Sequence, residues 1–389
     1  MTAYFDHAAT TPLRPEARAA WLAAADVVGN ASSVHGPGQS ARRILEQARE
    51  EVAAALDCDP IEVVFTSGGT ESINLAIKGL WWSRQPGVDA VVLPDGEHHA
   101  TMDTVEWLRT AEGAEVVAVP LASTGAIPVD AFAAALPGAA LATALVANNE
   151  VGTVSDAAAL ASAAAAAAVP LHLDAVGAAG VIEVRFAQWR GGGRGPAGLV
   201  ALSVSGHKIG APVGTGALVV SRHAALSPLL HGGGQQRGLR SGTQDVPGAA
   251  ALAAALSAAE RGRAGEAERL ARLRARLVAG IRDEIPEAEL LGDPDLRLPG
   301  NVHVHFPGAA GETLLFLLDQ ADVAVSTGSA CQAGVAEPSH VVRALGRDER
   351  AARSVLRFTM GRTSTAEEVE RLLAALPGAY ARAVAAGSR

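Results

Sequence analysis

Between about residues 38 and 245 the sequence alternates short β-rich runs with longer helical patterns, and no other feature narrows the choice of fold so far. The β-rich runs fall at 61–66, 90–93, 115–120, 141–147, 171–174, 199–205 and 216–220. Helical patterns at 38–56, 71–82, 99–112 and 155–168 separate several of them. Strands joined through helices must cross over, which builds a mostly parallel sheet. Their high content of apolar side chains suits burial on both faces. The fold class is therefore α/β, with a large domain on a mostly parallel seven-stranded sheet.

A charged, alanine-rich stretch at 247–285 reads as one long helix or a bent pair leaving that domain. Beyond it, strands at 301–306, 323–326 and 355–359 and helices at 312–320, 339–345 and 365–376 predict a smaller α+β domain. The expected division is 15–250 for the large domain, with 1–14 and 251–389 forming the small one. A chain of 389 residues can bury two such cores. The net charge of −9 argues against a nucleic-acid surface. With only two cysteines, Cys58 and Cys331, no disulfide framework is being built, and a reduced, cytoplasmic setting is expected. The start has no basic region followed by an apolar run, so no signal peptide is read there. The most apolar stretch, 157–169, is short and mostly alanine, which suits a crossover helix and not a membrane span.

In open parallel sheets, ligands sit at the carboxyl ends of the strands. The chemically suggestive residues cluster at such ends: Gly68-Gly69-Thr70, His98, Asn149, Asp174 and Ser205-Gly206-His207-Lys208. Two glycines and a threonine between a strand and a helix offer an anion the free N–H groups of the helix start. Asp174 closes a strand, where a carboxylate can keep a pyridine nitrogen protonated. Lys208 follows the next strand, where burial would lower its pKa and favour imine formation. Each has a plain structural alternative: a capped glycine turn, a turn-capping aspartate, a lysine reaching for solvent. All of them at successive strand ends are hard to explain separately.

The chain resembles the cysteine desulfurases of the IscS/NifS-like group, in the class-V aminotransferase family and the aspartate-aminotransferase (type I) fold of pyridoxal-phosphate enzymes. The likeness runs from Tyr4 to about Leu376. It is carried by Tyr4-Phe5-Asp6-His7, Gly29-Asn30-Ala31-Ser32-Ser33, Thr66-Ser67-Gly68-Gly69-Thr70 and Glu97-His98-His99. Asn148-Asn149-Glu150-Val151-Gly152, His172-Leu173-Asp174, Ser205-Gly206-His207-Lys208, Arg240-Ser241-Gly242-Thr243, Gly328-Ser329-Ala330-Cys331 and Leu356-Arg357-Phe358 complete it. The resemblance implies pyridoxal 5′-phosphate as cofactor. Lys208 would hold it covalently and shuttle protons, and His98 would stack on its ring and assist acid–base steps. Asp174 would pair with the ring nitrogen and Asn149 with the phenolic oxygen. Gly69, Thr70, Ser205 and His207 would hold the phosphate, with Thr243 reaching it from a neighbouring subunit of a homodimer with shared active sites. Asn30 and Arg357 would grip the carboxylate of L-cysteine, where arginine offers a bidentate fork.

Cys331 stands among small and glycine residues, a setting that suits a thiolate able to attack bound substrate and then pass sulfur on. The implied reaction turns L-cysteine into L-alanine and leaves a persulfide on Cys331. Its receiver would be a sulfur-acceptor protein: an iron–sulfur scaffold, a tRNA-thiolating enzyme or a small sulfur carrier. Cys58, without that context, reads as structural, and His99 as a helix-start neighbour. His303 and His305 alternate on a strand and share one face, expected to be solvated. No His/Cys pair stands at ligand spacing, so no metal is expected. Two positions depart from the family pattern. Gly177 replaces a glutamine that would reach the phenolic oxygen, and Gln332-Ala333 replaces Thr-Ser after the cysteine. Other type I reactions remain open on fold alone, such as an aminotransferase or a selenocysteine lyase, as does a non-catalytic cofactor-binding paralogue.

Overall fold

The computed structural model describes residues 2–193, 195–328 and 337–387. Its centre is a seven-stranded sheet in the order Val63–Thr66, Gly216–Val220, Gly198–Ser205, Pro170–Asp174, Ala139–Leu145, Ala90–Pro94, Glu115–Val119. The four pairings from Gly198–Ser205 to Glu115–Val119 are parallel, and Gly216–Val220 runs antiparallel to both its neighbours. The strands are apolar on both sides because both sides are covered. Along Gly216–Val220, Ala217 and Val219 join one core cluster while Leu218 and Val220 join another across the sheet.

The helices form where apolar residues recur at helical spacing. In Gly36–Leu56, Ala41, Leu45, Ala48 and Val52 make a stripe against the sheet. The 39-residue helix Val246–Glu284 starts at Asp245, whose carboxylate accepts the Gly248 N–H at 2.9 Å, with Pro247 in the first turn. Its first part, including Leu252 and Leu256, joins the large core, alongside the helices Pro15–Ala25 and Gly36–Leu56. Leu270, Leu277 and Ile281 pack in a second core, with Phe5, Phe306 and Phe358. The helix runs without a break through residue 250, where a boundary was expected.

The second core lies on a three-stranded antiparallel sheet, Val355–Thr359, Asn301–His305, Glu289–Leu291. The N-terminal pair Ala3–Tyr4 lies parallel to Val323–Ala324, so the chain start belongs with this C-terminal part. Three details differ from expectation. The helix expected to stop at 376, before Pro377, continues to Gly387. Pro377 removes one N–H from the ladder. Beyond it, however, Ala379 and Ala383 are buried and Tyr380 Oη donates to the Pro307 carbonyl at 2.7 Å, and this packing outweighs the break. The run at 61–66 opens as the turn Pro60–Glu62 before extending. The face carrying His303 is not solvated: His303 is 0% exposed, while His305 is half-buried beside Glu289.

Candidate active site

At the carboxyl edge of the parallel strands lies a cavity of about 370 Å³. Pairing aligns Leu145 with Asp174, where both strands end, and Asp174 with Ser203, from which the third strand runs on to Ser205 beneath the cavity. Gly69, Thr70, His98, Asn149, Asp174, Ser205, His207, Lys208 and Arg357 all line it. Sequence positions from 69 to 357 are thus gathered into one site.

The anion cradle begins at Gly68, with φ 151° and ψ −174°, a conformation essentially confined to glycine. A Cβ on Gly69 would come within 2.8 Å of Val176 Cγ2, so the backbone there lies close against the cavity wall. The helix Gly69–Trp82 starts at this point, directing its unpaired first-turn N–H groups and positive dipole end toward the cavity edge. Ser205 and His207, from the strand end and short helix opposite, complete that corner.

Asp174 is buried, and its Oδ1 accepts the Val176 N–H at 2.8 Å. Burial pushes its pKa up to about 6, against the opposing effects of that bond and of the Lys208 charge. Lys208 Nζ donates to the carbonyls of Ala8 and Ala9, the latter at 3.0 Å, so the N-terminal segment holds the ammonium at the cavity. His98 caps the helix His99–Glu112 and accepts the Ala100 N–H on Nδ1 at 3.0 Å. Burial, then the Lys208 charge, lowers its pKa to about 4. The ring is therefore neutral near pH 7, with its proton on Nε2.

Arg357 is buried and doubly held. Nη2 pairs with Asp6 Oδ1 at 3.0 Å and Nη1 donates to the Asn149 carbonyl at 3.0 Å, while Nε has no partner. Asn149 Oδ1 is likewise buried without a partner. Asp6, which lines the cavity, and the buried Glu97 were given no role by sequence reasoning, although they stand in the motifs Tyr4-Phe5-Asp6-His7 and Glu97-His98-His99. Glu97 Oε1 accepts the Leu145 N–H at 2.9 Å, its Oε2 is orphaned, and burial raises its pKa to about 8.

Two expected site residues do not line this cavity. Asn30 is exposed and turns its Oδ1 to the Ser32 N–H at 2.9 Å, and Thr243 is exposed on another loop. Cys331, with Gln332 and Ala333, lies outside the described residues, but Gly328, just before them, lines the cavity. Cys58 is half-buried and burial pushes its thiol pKa up, which keeps it protonated and unreactive. His99 is the first residue of its helix, 4.8 Å from the His340 ring between centroids. Among the described residues no group of three or more metal-binding side chains converges, and no helix is long and apolar enough to cross a membrane.

A parallel sheet with a lysine, an aspartate and a glycine cradle converging at its carboxyl edge defines a pyridoxal-phosphate enzyme of the type I fold. The chain belongs to the aminotransferase class-V family, whose model matches residues 3–372. It is 46% identical to the "IscS-like cysteine desulfurase" of Mycobacterium tuberculosis, over 98% of this chain and 97% of that protein. It is 39% identical to the "Cysteine desulfurase IscS" of Methylococcus capsulatus, over 97% and 92%. Among solved structures, a "NifS-like protein" superposes with a TM-score of 0.90 at 30% identity, covering 98% of this chain and all of that one. A structure described as "SspA in complex with cysteine" gives 0.79 at 29% identity, covering 94% and 100%. The residues present fit the cofactor: an anion cradle at a helix start, a buried carboxylate, a lysine, and the cavity-lining Asn149 with an orphaned amide oxygen.

Proposed function

We propose that this protein is a pyridoxal-phosphate-dependent cysteine desulfurase that converts L-cysteine to L-alanine and carries the released sulfur on Cys331. The observation that carries the reading is one cavity: Lys208, Asp174, His98 and Arg357 line it, and so does Gly328, three residues before Cys331. Pyridoxal phosphate, when bound, supplies an electron sink next to the substrate α-carbon.

The side chains divide the remaining work. Asp174 would pair with the ring nitrogen, an interaction that its buried, water-poor surroundings would strengthen. Gly69, Thr70, Ser205 and His207 would hold the phosphate, Asn149 would meet the phenolic oxygen, and Lys208 would anchor the cofactor and take the substrate's α-proton. His98, neutral with a proton on Nε2, would stack on the ring and could donate that proton. Arg357 offers its guanidinium to the substrate carboxylate, pre-aimed by Asp6 and the Asn149 carbonyl. The thiolate of Cys331 attacks the substrate sulfur. The sulfur–carbon bond breaks as the sulfur–sulfur bond forms, the electron pair stays on carbon, and a proton completes alanine. The enzyme thiol and cysteine give enzyme persulfide and alanine, and no outside oxidant is needed.

Thr243 we assign to the phosphate site of a neighbouring subunit in a homodimer. Its exposure supports this, as do Val28, Val34 and Val213, each more than 80% exposed and awaiting cover. Asn30 lies between the first two of these, and its contact with the substrate carboxylate would show as a raised KM in Asn30→Ala. The sulfur then passes to an acceptor protein in the cytoplasm, either an iron–sulfur scaffold, a tRNA-thiolating enzyme or a small carrier. The test is to incubate the enzyme with L-cysteine and measure alanine and sulfide, with Cys331→Ser alongside. Alanine formed by the parent and lost in the variant supports the reading. A parent that consumes cysteine only when a keto acid is added would be an aminotransferase.

A further inference from the structure

Directly after Asn149 the chain places a buried acid that the chemistry above leaves unused. Glu150 is 2% exposed and forms no ion pair among the described residues. Its backbone is fixed from two sides. Asn148 Oδ1 accepts its N–H at 2.9 Å, and Asn301 Nδ2 donates to its carbonyl at 3.0 Å. Asn148 is itself tied to the Gly96 carbonyl at 3.0 Å.

The carboxylate meets both points that flank residues 329–336, the stretch that contains Cys331. On the far side, Ser339 Oγ donates to Glu150 Oε2 at 2.5 Å and accepts the Val342 N–H at 3.0 Å, so one hydroxyl joins Glu150 to the helix His340–Ala344. On the near side, Gly328 has φ +87°, and a Cβ there would lie 3.0 Å from the same Oε2 and 3.3 Å from His303 Cε1. Gly328 thus packs beside the carboxylate, while its N–H is given to Ser326 Oγ at 3.1 Å. His303 fills the space behind: neither ring nitrogen makes a hydrogen bond, and burial, then Arg357 and Arg297, keeps it neutral, against the opposing pull of the Glu150 carbonyl. The near side is also stitched to Arg357, through Ser326 N–H to the Arg357 carbonyl at 3.2 Å and back at 2.6 Å. The far side is held by His340 Nε2 against the Glu97 carbonyl at 2.9 Å.

A buried carboxylate without a cation is costly unless its hydrogen bonds are made. Here they are made to one end of the segment. We propose that Glu150 is a positioning residue: bonded to Ser339 and packed beside Gly328, it ties the described residues on either side of 329–336 to the loop that presents Asn149 to the cavity. The consequence for catalysis rests on the reading of Cys331 given above, whereas the anchoring itself does not.

Hydrogen–deuterium exchange and single-turnover persulfide formation, both on the cofactor-loaded enzyme, test this together. In Glu150→Ala and Ser339→Ala, amides at 322–328 and 337–345 should exchange on the order of ten times faster, with the central sheet unchanged. Cofactor absorbance and the binding of cysteine should stay as in the parent. Persulfide formation should slow by on the order of 10- to 100-fold, the scale of a misplaced reacting group. Ser339→Thr, which keeps the hydroxyl, and Glu150→Gln, which keeps an acceptor, should recover most of the rate. Parent-like exchange at both ends would overturn the proposal. So would faster exchange throughout the sheet with loss of cofactor, which would make Glu150 part of the scaffold. If instead the parent builds no persulfide while the variants still loosen both ends, the anchor stands and the function assigned to Cys331 fails.

Discussion

Lys208 and Gly177 show how far single residues decide this site. Lys208 is the one amine among the strand-end residues gathered at the cavity. Lys208→Ala should therefore abolish turnover and leave no cofactor attached to the protein after borohydride reduction. Cofactor still attached would identify a different anchor. Gly177 also lines the cavity, and its φ is not positive; a Cβ there would meet only the Ala147 carbonyl, at 3.5 Å. A side chain is thus tolerated, and Gly177→Gln can restore an amide near the phenolic oxygen. One hydrogen bond contributes about 0.5–1.5 kcal/mol, so the cofactor's absorbance should titrate at a shifted pH in a folded, active variant. An identical titration would contradict this placement. Sequence reading at this scale placed Asp174 and Lys208 by their position relative to strand ends, and the structure has both at such ends beside the cavity. It failed for His303 because alternation says which residues share a face, not whether that face is covered.

Among the elements, boundaries were legible where capping and periodicity agreed. His99–Glu112 and Val355–Thr359 fall where their patterns place them, and the long helix starts one residue before its expected proline. Asp245 is the device that starts it. Asp245→Ala should lower stability by about 1 kcal/mol through the lost bond to Gly248, seen as a shifted denaturation midpoint. An unchanged midpoint would mean that packing alone sets this helix start. Elements decided by tertiary contact were not legible. The continuation past Pro377 depends on Tyr380 and Ala383 finding their core, and the loops carrying Asn30 and Thr243 have no sequence signal for what they face.

For the molecule as a whole, the buried histidines and carboxyls set opposing responses to pH. Burial lowers His7 and His98 to about 4 and His172 and His303 to about 3, so the unfolded chain binds roughly four more protons on them between pH 5 and 6. Burial raises Glu97 to about 8 and Asp174 to about 6, so the folded chain binds roughly two more there. The unfolded state gains the balance of about two protons. Stability should then rise with pH from 5 toward 6.5, by on the order of 3 kcal/mol per pH unit near pH 5 and falling to on the order of 1 near pH 6.5, as the unfolded histidines lose their protons. The Tm of the cofactor-stripped protein across that range is the check, and a flat or falling Tm would contradict these environments. The assignment of the chain's chemistry is tested most directly by mass spectrometry of the intact enzyme and its cysteine peptides after one turnover with L-cysteine. One added sulfur atom on Cys331, none on Cys58 and one equivalent of alanine is the predicted result. Alanine without sulfur on Cys331, or sulfur on both cysteines alike, would contradict it.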